Sequence, residues 1–178
     1  MIKLILKTSL ALILTVSVII TGCNKVKGLL DINFDADFTV DMSVDASDSG
    51  LGNGSFDVEE TVDPLENDDV RKYIDNIKDW EATDLTLKFK QVAPEFDLSE
   101  GKAKMYNGNK EVTWNLEDQK ITENTEVKLG NDNNQWTTVN EMIMQKEPFT
   151  IELSGKATPG SQFKVQLVFN SKITANPL

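Results

Sequence analysis

Between Asp31 and Ala46 the chain alternates without a miss. Ile32, Phe34, Ala36, Phe38, Val40, Met42, Val44 and Ala46 are apolar, and the odd positions hold Asp31, Asn33, Asp35, Asp37, Thr39, Asp41, Ser43 and Asp45. A period of two places one set on each face of a β-strand, whereas a helical period would scatter the aspartates around every side. The run therefore predicts a long, half-buried strand with its odd positions in water. Sixteen residues exceed the usual strand length, so a bulge or bend is expected within it.

Further alternating runs follow at short intervals. Ser47 to Ser55, with three glycines, has the composition of a turn, and Phe56 to Val62 resumes as a strand, so the two runs predict a hairpin. Asp63-Pro64 breaks that strand. Asn67 or Asp68 then caps a helix carrying Val70, Tyr73, Ile74 and Ile77 and ending near Trp80. Leu85, Leu87 and Phe89 mark a strand that stops before Pro94, and Glu95 to Gly101 has the character of a loop. Asn107-Gly108-Asn109 between Lys102–Tyr106 and Glu111–Leu116 is a hairpin signal, with Val112, Trp114 and Leu116 facing inward. A strand near Thr125 to Leu129, a polar loop Asn131 to Gln135 and a short helix within Trp136 to Met144 come next. Two clear strands close the chain, around Phe149–Leu153 and Phe163–Ala175, joined by Thr158-Pro159-Gly160-Ser161.

Seven or eight strands with short connections and one or two short helices predict a mainly β protein. The pattern fits an antiparallel β-sandwich, immunoglobulin-like or jelly-roll, and not a parallel α/β sheet.

The first residues read differently. Lys3 and Lys7 precede an uncharged apolar run, Leu10 to Ile20, in the order of an export signal, and the run is too short and too diluted by Thr and Ser to span a bilayer. It ends in Ile20-Thr21-Gly22-Cys23, which resembles the lipobox of bacterial lipoproteins cleaved by signal peptidase II. The resemblance covers these residues only. It implies cleavage after Gly22 and a diacylglycerol thioether on Cys23, the sole cysteine; an ordinary secreted protein with a chance cysteine is the alternative. Residues 1–22 are then a signal peptide, 23–30 a lipidated tether and 31–178 the β-sandwich domain. Asn24, where enterobacteria place a retention aspartate, favours the outer membrane. In architecture the mature part looks like a small β-sandwich envelope lipoprotein.

Composition narrows the chemistry. The formal charge is −11, and loss of residues 1–22, with two lysines and no acid, takes it to −13, which disfavours nucleic acid as a partner. With no histidine and no second cysteine, Ser-His and Cys-His nucleophile pairs, thiolate metal sites and internal disulfides are excluded. No cofactor is implied. Calcium remains possible on oxygen ligands, with Asp35, Asp37, Asp41 and Asp45 as candidates, although same-face strand neighbours sit roughly 7 Å apart, too far to surround one ion. Trp80, Trp114 and Trp136 are candidates for stacking on a sugar if exposed. The expectation is a non-enzymatic envelope protein held to the membrane through Cys23, with a protein-interaction, adhesin-like or structural role and an envelope protein or glycan partner. Calcium or carbohydrate binding is the alternative, and a carboxylate-based hydrolase a third.

Overall fold

The computed structural model describes residues 31–46 and 54–176. Two antiparallel sheets face each other. One has the order β1 (Ile32–Asp45), β9 (Gln162–Ala175), β3 (Ile77–Ala93), β7 (Glu126–Lys128); the other β2 (Ser55–Val62), β8 (Phe149–Lys156), β4 (Phe96–Asn107), β5 (Lys110–Asn115). Short β6 (Gln119–Ile121) pairs with the start of β4. The helices are α1 (Asp68–Tyr73), flanked by single 3₁₀ turns at Pro64–Glu66 and Ile74–Asn76, and α2 (Gln135–Ile143).

The pairing works inward from both ends of the chain: β1 with β9, β2 with β8, β3 with β7, β4 with β5. That is one long two-stranded ribbon rolled up, with lateral joins β9–β3 and β8–β4 completing the sheets. This strand order is a jelly roll and not an immunoglobulin arrangement. It corrects the hairpin expected between the first two strands: β1 and β2 belong to different sheets. The outer pairs match in length, since β1 and β9 each have 14 residues, and β2 and β8 each have 8. The glycine-rich turn expected between β1 and β2 lies largely outside the described residues.

The expected bulge is absent from β1, whose register runs unbroken from Ile32 opposite Ala175 to Asp45 opposite Gln162. The irregularity sits on β3 instead. β3 has 17 residues against a 14-residue partner, and the surplus is taken up as one extra residue at each of three register shifts, between Ile77 and Asp79, Ala82 and Asp84, and Lys90 and Ala93. The backbone N–H of Ala82, beside the second shift, donates to Asn140 Oδ1 of α2 at 2.9 Å.

The bulges also explain why the predicted helix overran. α1 stops at Tyr73, a single 3₁₀ turn follows, and Ile77 opens β3. Ile77 and Trp80 are both buried three residues apart because the extra residue between them resets the inward parity. That spacing imitates a helix. Asn67 does cap α1, its Oδ1 accepting from the N–H groups of Asp69 and Val70.

The loop expected over Glu95 to Gly101 is also corrected, because β4 begins at Phe96, immediately beyond the cis Ala93–Pro94 peptide. Phe96 and Leu98 alternate inward as a strand should, but a register shift between Ser99 and Lys102 interrupts the pattern. The β4–β5 hairpin forms as expected, with Asn107 opposite Lys110 and a two-residue loop. Gly108, at the first central position, has φ 55, a conformation that glycine takes without strain.

The core between the sheets is aromatic. Phe163 of β9 meets Phe96 of β4 at 4.5 Å between ring centroids, Phe56 of β2 edge-on at 5.5 Å and Phe89 of β3 at 5.9 Å. One ring thus touches three strands in both layers. A second cluster joins Phe38, Phe149 and Phe169, with Trp80 against Phe38. Truncating Phe163 to Ala is expected to cost about 3–5 kcal/mol of unfolding free energy in urea melts, by loss of transfer energy plus the cavity. Leu65→Ala, at an exposed site, should stay within about 0.5 kcal/mol.

Candidate functional site

The four aspartates of β1 form no cage. Asp35, Asp37, Asp41 and Asp45 all point outward, and the polar side chains of β9 stand beside them. Gln166 Nε2 donates to Asp41 Oδ1 and Gln162 Nε2 to Asp45 Oδ2, each at 3.0 Å, while Asp37 lies opposite Asn170 and Asp35 opposite Lys172. These are cross-strand pairs of an exposed face. Among the described residues no three acidic side chains converge to hold an ion.

The tryptophans are separated by the fold and put to structural use. Trp80 is 1% exposed, and its Nε1 donates at 2.8 Å to Ser171 Oγ, which in turn donates to the Ala36 carbonyl at 2.7 Å. This buried relay ties β3, β9 and β1 together and leaves Trp80 no face for a ligand. Trp114 and Trp136 do come together, at one segment. Trp114 Nε1 donates to the Gly130 carbonyl at 2.7 Å and Trp136 Nε1 to the Leu129 carbonyl at 3.3 Å, so two indoles clamp the turn that leads from β7 to α2. Both rings serve packing, with Trp114 buried and Trp136 half-buried. As open stacking platforms the three do not qualify.

The clamped turn bounds a polar concavity, a pocket of about 310 Å³ on the side of the jelly roll where β5 faces β7. One wall is the end of β5 and the segment running to β6, the other the turn from β7 to α2. Asn131 Oδ1 accepts from the N–H of Trp136 in the first turn of α2, and Gln135 Oε1 accepts from the Asn133 N–H, so the second wall is held by its own polar side chains. A larger but more open cleft, about 740 Å³, lies on the outer face of the second sheet near the Ser99–Lys102 bulge. The Lys156–Glu100 ion pair closes part of its rim.

Elsewhere on that outer face, polar side chains engage one another across strands. Tyr106 Oη donates to Glu59 Oε2 at 2.9 Å, and Lys104 lies between Glu111 and Glu152 at 3.2 and 3.6 Å. The hydrogen bond to Glu59 raises the Tyr106 pKa above the ordinary tyrosine value, with desolvation and the carboxylate charge adding to it. A raised value means that whatever this bond contributes is present at neutral pH and lost as pH rises through the Tyr106 ionisation. On the other sheet, the bond from Lys88 holds Glu126 below the usual glutamate range, so its contribution is lost in the opposite direction, on acidification.

No protein-family model matches the chain, and no curated protein matches its sequence. Solved structures of similar outline include virus proteins. The decameric BFDV capsid protein is 6% identical, with 80% of this chain and 99% of that one covered and a TM-score of 0.43. Turnip yellow mosaic virus gives 10% identity, 81% and 93% coverage and a TM-score of 0.37; Desmodium yellow mottle tymovirus gives 11%, 83% and 90%, and 0.33. Overlaps this loose carry no functional information, and the fold rests on the strand order itself.

Replacing Glu59 with Gln should lower the Tyr106 ionisation toward the ordinary tyrosine value. An ultraviolet absorbance titration of the variant beside the parent measures it, and an unchanged alkaline limb would show that Glu59 does not set the shift.

Proposed function

We propose that the chain is a lipid-anchored protein of a bacterial envelope whose β-sandwich has a binding or structural role and no catalytic one. The observation that carries the reading is Ile20-Thr21-Gly22-Cys23 at the end of an uncharged apolar run, with Cys23 the only thiol in the chain. Two or three acyl chains, each burying methylenes at about 0.8 kcal/mol apiece, would make such attachment lasting. Asn24 supports sorting to the outer membrane.

The fold is compatible with this arrangement in a specific way. β1 starts only a few residues after Cys23, at the end of the sandwich where Ile32 pairs with Ala175 and the Asn176 N–H reaches the Asn76 carbonyl. An anchor at Cys23 would therefore fasten that end to the bilayer. The opposite end, with the Thr158–Ser161 turn and the Ser99–Lys102 bulge, would stand away from it by about 45 Å, the length of a 14-residue strand. A protein-interaction or adhesin-like module is the finer form of the reading, since the ion and stacking candidates on β1 and at Trp80 are engaged within the fold.

Metabolic labelling with palmitate and intact mass of native material test the proposal. The expected outcome is a mass that begins at a diacylated Cys23 and a label that disappears in Cys23→Ser, which also leaves the membrane fraction while its melting temperature is unchanged. An unmodified Cys23, or a retained residue 1–22 segment, would overturn the address.

A further inference from the structure

The pocket between β5 and β7 is lined by polar side chains that the fold leaves open. Asn115, Gln119 and Asn133 line it, and their side-chain amides make no hydrogen bond among the described residues. Gln135 is 9% exposed and uses its Oε1 on the Asn133 N–H. Glu117 and Asp132 add two carboxylates that enter no ion pair there. Elsewhere some of the exposed charges pair with each other, as Lys104, Lys110, Lys120 and Lys156 do with neighbouring glutamates. Here a concave wall keeps its donors and acceptors open.

The kind of ligand follows from the groups present. A side-chain amide offers a donor and an acceptor side by side, which is the complement of adjacent hydroxyls, each of which also donates and accepts. Four amides and two carboxylates around one concavity match a neutral polyhydroxylated molecule. An anion would meet two carboxylates with Lys128 as the lining cation, and a metal ion would need the converging acidic group that the described residues lack. Trp114 supplies the apolar part of the wall. The volume of about 310 Å³ falls at the small end of ligand pockets, so a short saccharide fits and a large apolar molecule does not. The larger cleft on the second sheet is open, and a lysine–glutamate pair already occupies part of its rim.

We propose that the pocket bounded by Asn115, Gln119, Asn133 and Gln135 binds a neutral saccharide, with the amides bridging neighbouring hydroxyls. The proposal deepens the binding role inferred above and assigns it to a place. The wall between β7 and α2 is held in place, since the indoles of Trp114 and Trp136 bond the Leu129 and Gly130 carbonyls and Asn131 Oδ1 accepts from the Trp136 N–H. The ligand would therefore find its polar groups already positioned, at little ordering cost.

The test uses the full mature protein in a non-glycosidic detergent, titrated with cellobiose, maltose, mannobiose and chitobiose and followed by tryptophan fluorescence and calorimetry. The expected result is a saturable response to at least one of the four, weakened about tenfold or more in Gln119→Ala and in Asn133→Ala, as loss of a hydrogen-bonding partner predicts. Both variants should melt with the parent, because neither side chain bonds to the rest of the fold. Absence of saturable binding by all four sugars overturns the proposal, and so does binding that both variants leave intact. The outcome separates from that at Cys23: a lipidated protein that ignores sugars keeps the anchor and loses the pocket, and an unlipidated one that binds them does the reverse.

Discussion

The closure of β1 against β9 is the constraint on which the rest of the structure depends. These two strands come from opposite ends of the domain, and they match residue for residue over their whole length. Once they pair, the chain between them is a closed ribbon, and rolling it is the way to cover the apolar face of each strand. β2 then meets β8, β4 meets β5, and β3 seals the far side of β9. The ladder is cemented from within by Ser171, which accepts from the indole N–H of Trp80 and donates its own O–H to the Ala36 carbonyl. A buried hydroxyl in such a place is satisfied on both sides, which is why a polar atom is tolerated in an otherwise apolar core.

Such a closure has a kinetic side. Most native contacts join residues far apart in sequence, and the central pairing spans nearly the entire domain. Chain entropy must be given up over a long loop before the first–last ladder returns any favourable energy, so folding of this topology is expected to be slow relative to a helical protein of equal length. The β4–β5 hairpin, with its glycine-started two-residue loop, is the local element that forms without that cost.

Much of the fold was legible because the signal for a half-buried strand is parity, and parity was clean in β1, β5, β8 and β9. What was not legible was partnership. Nothing in the alternation of β1 says that it joins a strand more than a hundred residues away in place of the next one; only matched lengths hint at it. Parity also failed wherever a bulge resets it, so Ile77 and Trp80 imitated a helix and the register shift after Leu98 hid the start of β4 as a loop. The pocket was hidden for a different reason. Asn115, Gln119, Asn133 and Gln135 occur in stretches whose polarity reads as ordinary connecting chain, and only folding brings the end of β5 opposite the approach to α2. The tryptophans were visible as candidates, but their burial as clamps depends on carbonyls that no sequence pattern marks. The aspartates of β1 were legible both as acids and as an outward row.

The surplus residues in β3 have an implication for how such a sequence can change. In a flat ladder, losing one residue turns every later side chain to the wrong face, which is why strands resist changes of length. β3 instead holds three isolated slack points, each with one residue more than β9 has opposite it, between segments whose phases are set by β9. Excising the spare residue at one of them would merge two segments already in step with the partner. β3 can thus lose a residue at such a point while the interior stays in phase, a tolerance that the unbroken ladder of β1 does not share.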